Sequence, residues 1–181
     1  AIDELIDQLL EVRRLVGAPD LRSEVLCNVG SISGGARANV VAADAEAEIG
    51  LRFEDPETER RVLGAIERLR PVRERARLEV EILSHRPAWR PSDADQRVAD
   101  DLARAARRAG AESLPARPAA GAGDTNSFGA WGLPTVDGLG PRGGGAHALS
   151  EHVLVSSLGE RISLIAAYLA DVGAEASTVD M

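Results

Sequence analysis

The sequence predicts an α/β chain in two parts: a split βαβ domain lacking its first strand over residues 1–85, then a loop-rich part carrying two helices over 86–175, with a tail at 176–181. Three observations predict it. A long period-2 pattern fills 41–54, apolar residues recur at helical spacing over 2–16, and two prolines, Pro87 and Pro91, stand where the pattern changes.

The first helix is carried by Ile2, Leu5, Ile6, Leu9, Val12 and Val16, with Asp3, Glu4 and Asp7 in its first turns and Arg13 and Arg14 near its end. Gly17 and Pro19 stop it. Ala1 already stands inside this helical pattern with neither an initiator Met nor a capping residue, so the chain reads as cut there. Glu24 to Ser33 reads as a strand, Gly34-Gly35 as a turn or bulge, and Val41 to Glu54 as the partner strand, with Ala43, Ala45, Ala47, Ile49, Leu51 and Phe53 on a buried face and acidic residues, Gly50 and Arg52 on the wet one. Asp55-Pro56-Glu57 opens a helix to about Arg70 that Pro71 closes. Arg77 to Ser84 alternates again and predicts a third strand. A four-stranded split βαβ sheet needs one strand more, ahead of the first helix.

Beyond Pro91, Ala94 to Ala109 predicts a helix and Pro134 to Asp137 a short strand among glycines. Ser156 to Val172 predicts the last helix, and Glu175 to Met181 reads as a loose tail.

Composition bounds the function. The 181 residues are 44% hydrophobic, enough for a core, and the net charge of −8, with all cations from arginine and mixed with acids along the chain, excludes a nucleic-acid surface. No apolar run approaches a bilayer span, and no basic-then-apolar leader opens the chain; it reads as soluble and cytoplasmic, with no membrane partner. The single Cys27 reads as a buried reduced thiol.

Two stretches carry candidate chemistry. In Gly143-Gly-Gly-Ala-His147-Ala-Leu-Ser-Glu151-His152 the glycines let backbone approach a ligand, and His147 is a candidate base or metal ligand, or else an exposed residue of a flexible loop. A complete local zinc site from His147, Glu151 and His152 has the wrong spacing for the short inverted motif. Gly121-Ala-Gly123-Asp124-Thr125-Asn126 either binds substrate or makes a turn that caps a following helix, and it lacks the ending of a phosphate loop. Arg52, Asn39 and Arg86 read individually as a solvated strand residue, a turn former and a hinge contact.

Taken in order, these pieces carry a resemblance. Val29-Gly-Ser-Ile-Ser-Gly-Gly35, Asn39-Val-Val-Ala42 and Ala45 to Phe53 resemble the lid, or dimerisation, domain of the zinc-dependent amidohydrolases that include aminoacylase, acetylornithine deacetylase, succinyl-diaminopimelate desuccinylase and glutamate carboxypeptidase. Gly123-Asp-Thr-Asn126, Gly132-Leu-Pro-Thr135, Gly138-Leu-Gly-Pro141 and Gly145-Ala-His147 through Glu151 resemble the end of that family's catalytic domain. The resemblance implies a ferredoxin-like lid over 1–85 without its first strand, the last part of a dizinc α/β catalytic domain over 86–175, and a homodimer formed through the lid. It implies that His147 is the last zinc ligand and that Asn39, Arg52 and Arg86 lie near the substrate carboxylate. Asp124 and Asn126 fall in the pocket lining, with Thr125 departing from the family's small residue. It implies hydrolysis of a peptide or N-acyl amino acid amide next to a carboxylate, with two zinc ions in the complete enzyme. The other ligands and the proton-shuttling Glu precede the lid in the family, so this chain alone is expected to be inactive and to bind no structural metal. The alternative is a non-catalytic dimerisation or amino-acid-binding module of split βαβ type, which leaves the His147 block unexplained.

Overall fold

The chain is described by a computed structural model over residues 1–21, 24–111, 115–117, 119 and 121–179, with side chains through Ala174. It divides into two compact units, Ala1–Arg90 with Ala120–Trp131, and Pro91–Ala119 with Gly132–Met181. No helix among the described residues is long and apolar enough to cross a membrane.

In the first unit α1 (Ile2–Val16) and α2 (Pro56–Glu67) accompany an antiparallel pair, β1 (Val25–Gly34) and β2 (Ala45–Phe53). The strands run in register from Val25 opposite Phe53 to Gly34 opposite Ala45, with a bulge between Val29 and Ser31. β2 alternates half-buried and exposed along its whole length, as its period-2 sequence dictates. The core is Val12, Val16, Leu21, Val25 and Val62, with Ile49, Leu51, Phe53 and Ile66 packed against it. Half-buried Cys27 belongs to the same cluster, where burial pushes its thiol pKa up. Asp55 caps α2 by accepting from the N–H groups of Glu57 and Thr58 at 2.9 and 3.1 Å.

The face that α1 buries differs from the one its apolar spacing predicts. The row Glu4, Gln8, Val12, Val16 is buried, while Ile2, Ile6 and Leu10 are exposed. Two strands span roughly 10 Å and two helices side by side roughly 20 Å, so the sheet leaves part of the α1 stripe uncovered. A cavity lined by Ile2, Leu5, Ile6, Leu9 and Ile32 lies there. The buried polar end has its own role: Glu4 accepts from Gln8 Nε2 at 2.7 Å and from the N–H groups of Val72 and Arg73 at 3.0 and 2.8 Å. Those bonds fasten the chain leaving α2 onto α1.

The Gln8 amide, then the Val72 N–H, hold the Glu4 carboxyl below the ordinary glutamate value, and the Thr58 N–H and hydroxyl hold Asp55 low. A depressed carboxylate pKa stabilises the fold above its unfolded value, and that contribution is lost as pH falls through the folded value. The melting temperature of the first unit should therefore drop between about pH 5 and pH 2, and Glu4→Gln should flatten that slope while lowering stability at pH 7. An unchanged slope in the variant would mean that Glu4 is not a source of the acid lability.

Three expected elements differ. Arg77 to Ser84 forms no strand, and Val80, Ile82 and Leu83 are exposed; an alternating segment becomes a strand only beside a partner whose N–H and C=O groups it can pair with. The partner strand begins at Ala45, leaving Val40 and Val41 exposed in a loop. Pro134 to Asp137 is likewise not a strand, because the Thr135 N–H donates to the Asp95 carboxylate at 2.6 Å instead of to a neighbouring strand.

The second unit packs α3 (Asp93–Arg108) against α5 (Val155–Val179) around Leu102, Ala106 and Leu164, with Val98, Val136 and Tyr168 against that core. A capping box starts α3: Asp95 accepts from the Ser92 N–H at 2.6 Å, and the Ser92 hydroxyl accepts from the Asp95 N–H at 3.3 Å. The same buried carboxylate thus caps a helix and anchors Thr135. Arg108 pairs with Asp171 across the two helices. α5 continues through Val179, past the end predicted near Val172, since Gly173 alone is a weak stop and Ala174-Glu175-Ala176 are good helix formers. Of the expected tail, Asp180 and Met181 lie outside the described residues.

Candidate functional site

Three of the expected site residues come together in the first unit. The crossing segment after Ser84 has no regular structure, so side chains must fix it. Glu59 on α2, 6% exposed, binds His85 Nε2 at 2.8 Å through one carboxylate oxygen and accepts from the Ala88 N–H at 3.1 Å through the other. Asn126 then joins the crossing segment to the Gly123–Asn126 loop. Its amide donates to the Pro87 carbonyl at 2.9 Å and its oxygen accepts from the Gly123 N–H at 2.9 Å. Asn126 is therefore a positioning residue, with both ends of its amide committed to backbone.

That clamp sets Arg86 beside Asp124. Arg86 Nε donates to Asp124 Oδ1 at 3.3 Å, and Nη1 donates to Ser84 Oγ at 3.3 Å. The arginine is 46% exposed and the aspartate 94%, so the pair is a weak, solvated contact through a single nitrogen. A planar guanidinium held this way keeps donors available for a ligand carboxylate, which binds it best through two parallel bonds.

α4 (Thr125–Ala130), a helix that no periodicity predicts, carries the loop onward. Gly129 lies against Trp89: a Cβ there would stand 2.4 Å from the indole ring. The Trp89 N–H is shielded from solvent without an acceptor, so close packing holds the ring. Phe128 and Trp131 meet edge to face at 5.8 Å.

Asn39 and Arg52 belong to the same unit. Asn39 is exposed in the turn between β1 and β2, and Arg52 is exposed on β2 opposite Leu26.

His147 lies in the second unit. Two consecutive turns, closed by Ala148 N–H to Gly145 O at 2.8 Å and Glu151 N–H to Ala148 O at 3.0 Å, present it between β3 (Gly143–Gly144) and β4 (His152–Val153). Gly145 has φ +71°, and a Cβ would meet the Ser150 carbonyl oxygen at 2.9 Å. His147 itself has φ +67°, a left-handed conformation that non-glycine residues rarely hold. The Glu151 carboxylate accepts from the His147 backbone N–H at 3.2 Å, and His152 Nδ1 is 3.0 Å from the Ser150 carbonyl. The Glu151 and His152 side chains thus both turn to backbone groups of the loop.

Among the described residues no three His, Cys, Asp or Glu side chains lie together to hold a metal. A catalytic zinc takes three protein ligands. One exposed imidazole does not by itself meet that requirement.

The chain belongs to Peptidase family M20/M25/M40, whose pattern it matches over residues 5–171. That family generally binds zinc. No curated protein matches the chain.

Sequence reasoning missed Glu59, Trp89 and Gly129. Glu59 reads as one more acid in a charged helix, and Gly129 as one glycine among many. Their contacts lie 26 to 40 residues away in sequence, beyond any local pattern.

Proposed function

We propose that this chain is part of a zinc-dependent hydrolase that cleaves a peptide or N-acyl amino acid amide next to a carboxylate, and that His147 contributes one metal ligand. The observation that carries this reading is the backbone of His147. A non-glycine residue in the left-handed region costs about 1–2 kcal/mol, and glycine, used just upstream at Gly143 to Gly145, would remove that cost. A side chain kept there at a cost is one whose imidazole is required.

In this reading Arg86 binds the substrate carboxylate, with Asn126 and Asp124 setting its position. Arg52 and Asn39 belong to the same carboxylate-reading set in the complete enzyme, which pairs as a homodimer through residues 1–85. When bound, the metal supplies Lewis-acid polarisation of the amide carbonyl and a water made acidic enough to attack it. The chain's own parts bind, orient and present; the remaining ligands come from other polypeptide, so this chain alone is inactive.

His147→Gly separates the structural from the functional role. The variant should raise the stability of the second unit by up to about 1 kcal/mol while abolishing zinc-dependent hydrolysis in the complete enzyme. Denaturant melts and an amidase assay read the two effects. Full activity in the variant would refute the assignment.

A further inference from the structure

We propose that His85 is a positioning residue for carboxylate recognition: held by Glu59 with its proton on Nε2, it fixes the direction in which Arg86 presents its guanidinium. The inference rests on the carboxylate-binding role given to Arg86 above. Its own support is the way the residues around Arg86 are tied down.

Among the described residues no backbone-to-backbone hydrogen bond engages any residue from Arg77 to Arg90. Three polar contacts hold the backbone around Arg86 instead. Glu59 makes two of them, meeting His85 Nε2 at 2.8 Å through one oxygen and accepting from the Ala88 N–H at 3.1 Å through the other. Asn126 makes the third by donating to the Pro87 carbonyl at 2.9 Å. One carboxylate therefore brackets Arg86, gripping the residue before it and the residue two after it. Pro87 narrows what remains, because its ring fixes its own φ and disfavours a helical backbone at Arg86 ahead of it.

Arg86 has only long contacts of its own, Nε to Asp124 and Nη1 to Ser84 Oγ, both at 3.3 Å. Its aim is thus set through the bracketed backbone. Glu59 can serve as the fixed point because of where it stands. It is buried on α2 three residues before Val62, a core residue with no exposed surface, and the Asp55 cap secures the start of that helix. A carboxylate is costly to bury unless its oxygens are bonded, and here both are.

The proton between Glu59 and His85 has one owner. An ionised carboxylate only accepts, so His85 Nε2 is the donor, and the ring is held in that tautomer. Removing the imidazole would leave Glu59 with the Ala88 N–H alone and free the chain on the Ser84 side of Arg86. The guanidinium would then sample several directions, and a ligand carboxylate would have to select one of them.

Nitrogen-15 NMR of the chain tests the link first. The neutral His85 ring should carry its proton on Nε2. Glu59→Gln keeps an acceptor for the Ala88 N–H but turns an amide donor toward the ring, so it should move the proton to Nδ1. A tautomer untouched by Glu59→Gln would overturn the proposal. The same spectra read recognition through the Arg86 Nε–H signal, with N-acetylglycine as the carboxylate probe. The unsubstituted chain should give a saturable shift. His85→Ala should weaken that binding about 10- to 100-fold, the worth of one hydrogen bond to a charged group. His85→Gln, which keeps a side-chain N–H for Glu59, should recover most of the loss. The His85 side chain is 49% exposed, so neither substitution opens a core cavity. Unchanged affinity in His85→Ala, or no recovery in His85→Gln, would overturn the positioning role while leaving the role of Arg86 standing. An Arg86 signal indifferent to N-acetylglycine in the unsubstituted chain would overturn the carboxylate-binding role of Arg86 itself, and this proposal with it.

Discussion

Leu164→Ala should destabilise the second unit by about 2–5 kcal/mol, the range for truncating a fully buried leucine. Leu164 has no exposed surface and forms the α5 side of the core against Leu102 and Ala106. The core is thin, so the cavity has few neighbours able to close it. For a body of this size each kcal/mol shifts melting by roughly 4–8 °C, which puts the expected fall at about 10 °C or more. The first unit carries its own core and should keep its transition, so calorimetry should resolve two events, only one of them moved. A loss under about 1 kcal/mol would show that α3 and α5 are not held by this contact.

Gly129→Ala should cost about 1–3 kcal/mol through overpacking and disturb the Arg86–Asp124–Asn126 cluster. The added methyl would stand within 2.4 to 2.7 Å of three atoms of the Trp89 ring. The backbone just before the ring is held by the Ala88 N–H donating to buried Glu59 at 3.1 Å. The displacement therefore passes to α4 and to the Asn126–Pro87 bond that sets Arg86 beside Asp124. Tryptophan fluorescence and near-ultraviolet circular dichroism should both change, with substrate KM raised in the complete enzyme. Unchanged spectra and stability would mean that the indole has room that the present packing denies it.

The sequence carried part of this fold in readable form, for physical reasons that differ by element. β2 is legible because one face is half-buried and one is wet, which writes a period of two into the chain. α2 and α3 are legible because Asp55 and Ser92 are caps of the expected types. The segment 77–84 misleads because alternation reports what a strand would bury and not whether a partner lies alongside. In α1 the apolar stripe is real, but the width of the sheet decides how much of it is covered.

The site was legible unevenly. Arg86, Asp124 and Asn126 do meet, although the role of Asn126 proves to be in backbone positioning, a use invisible without Pro87 and Gly123 beside it. The glycine run announced a special backbone at 143–147, but no sequence signal showed that the histidine itself would hold the left-handed conformation.

A metal-ligand role for His147, with its companion ligands on other polypeptide, underlies the whole functional reading. Calorimetric zinc titration, run on this chain and on the complete enzyme with and without His147→Gly, tests that role most directly. The expected results are no saturable binding below millimolar zinc by the chain alone, tight binding by the complete enzyme, and loss of zinc from the complete enzyme on substitution. Tight binding by the isolated chain, or zinc content untouched by His147→Gly, would contradict the role.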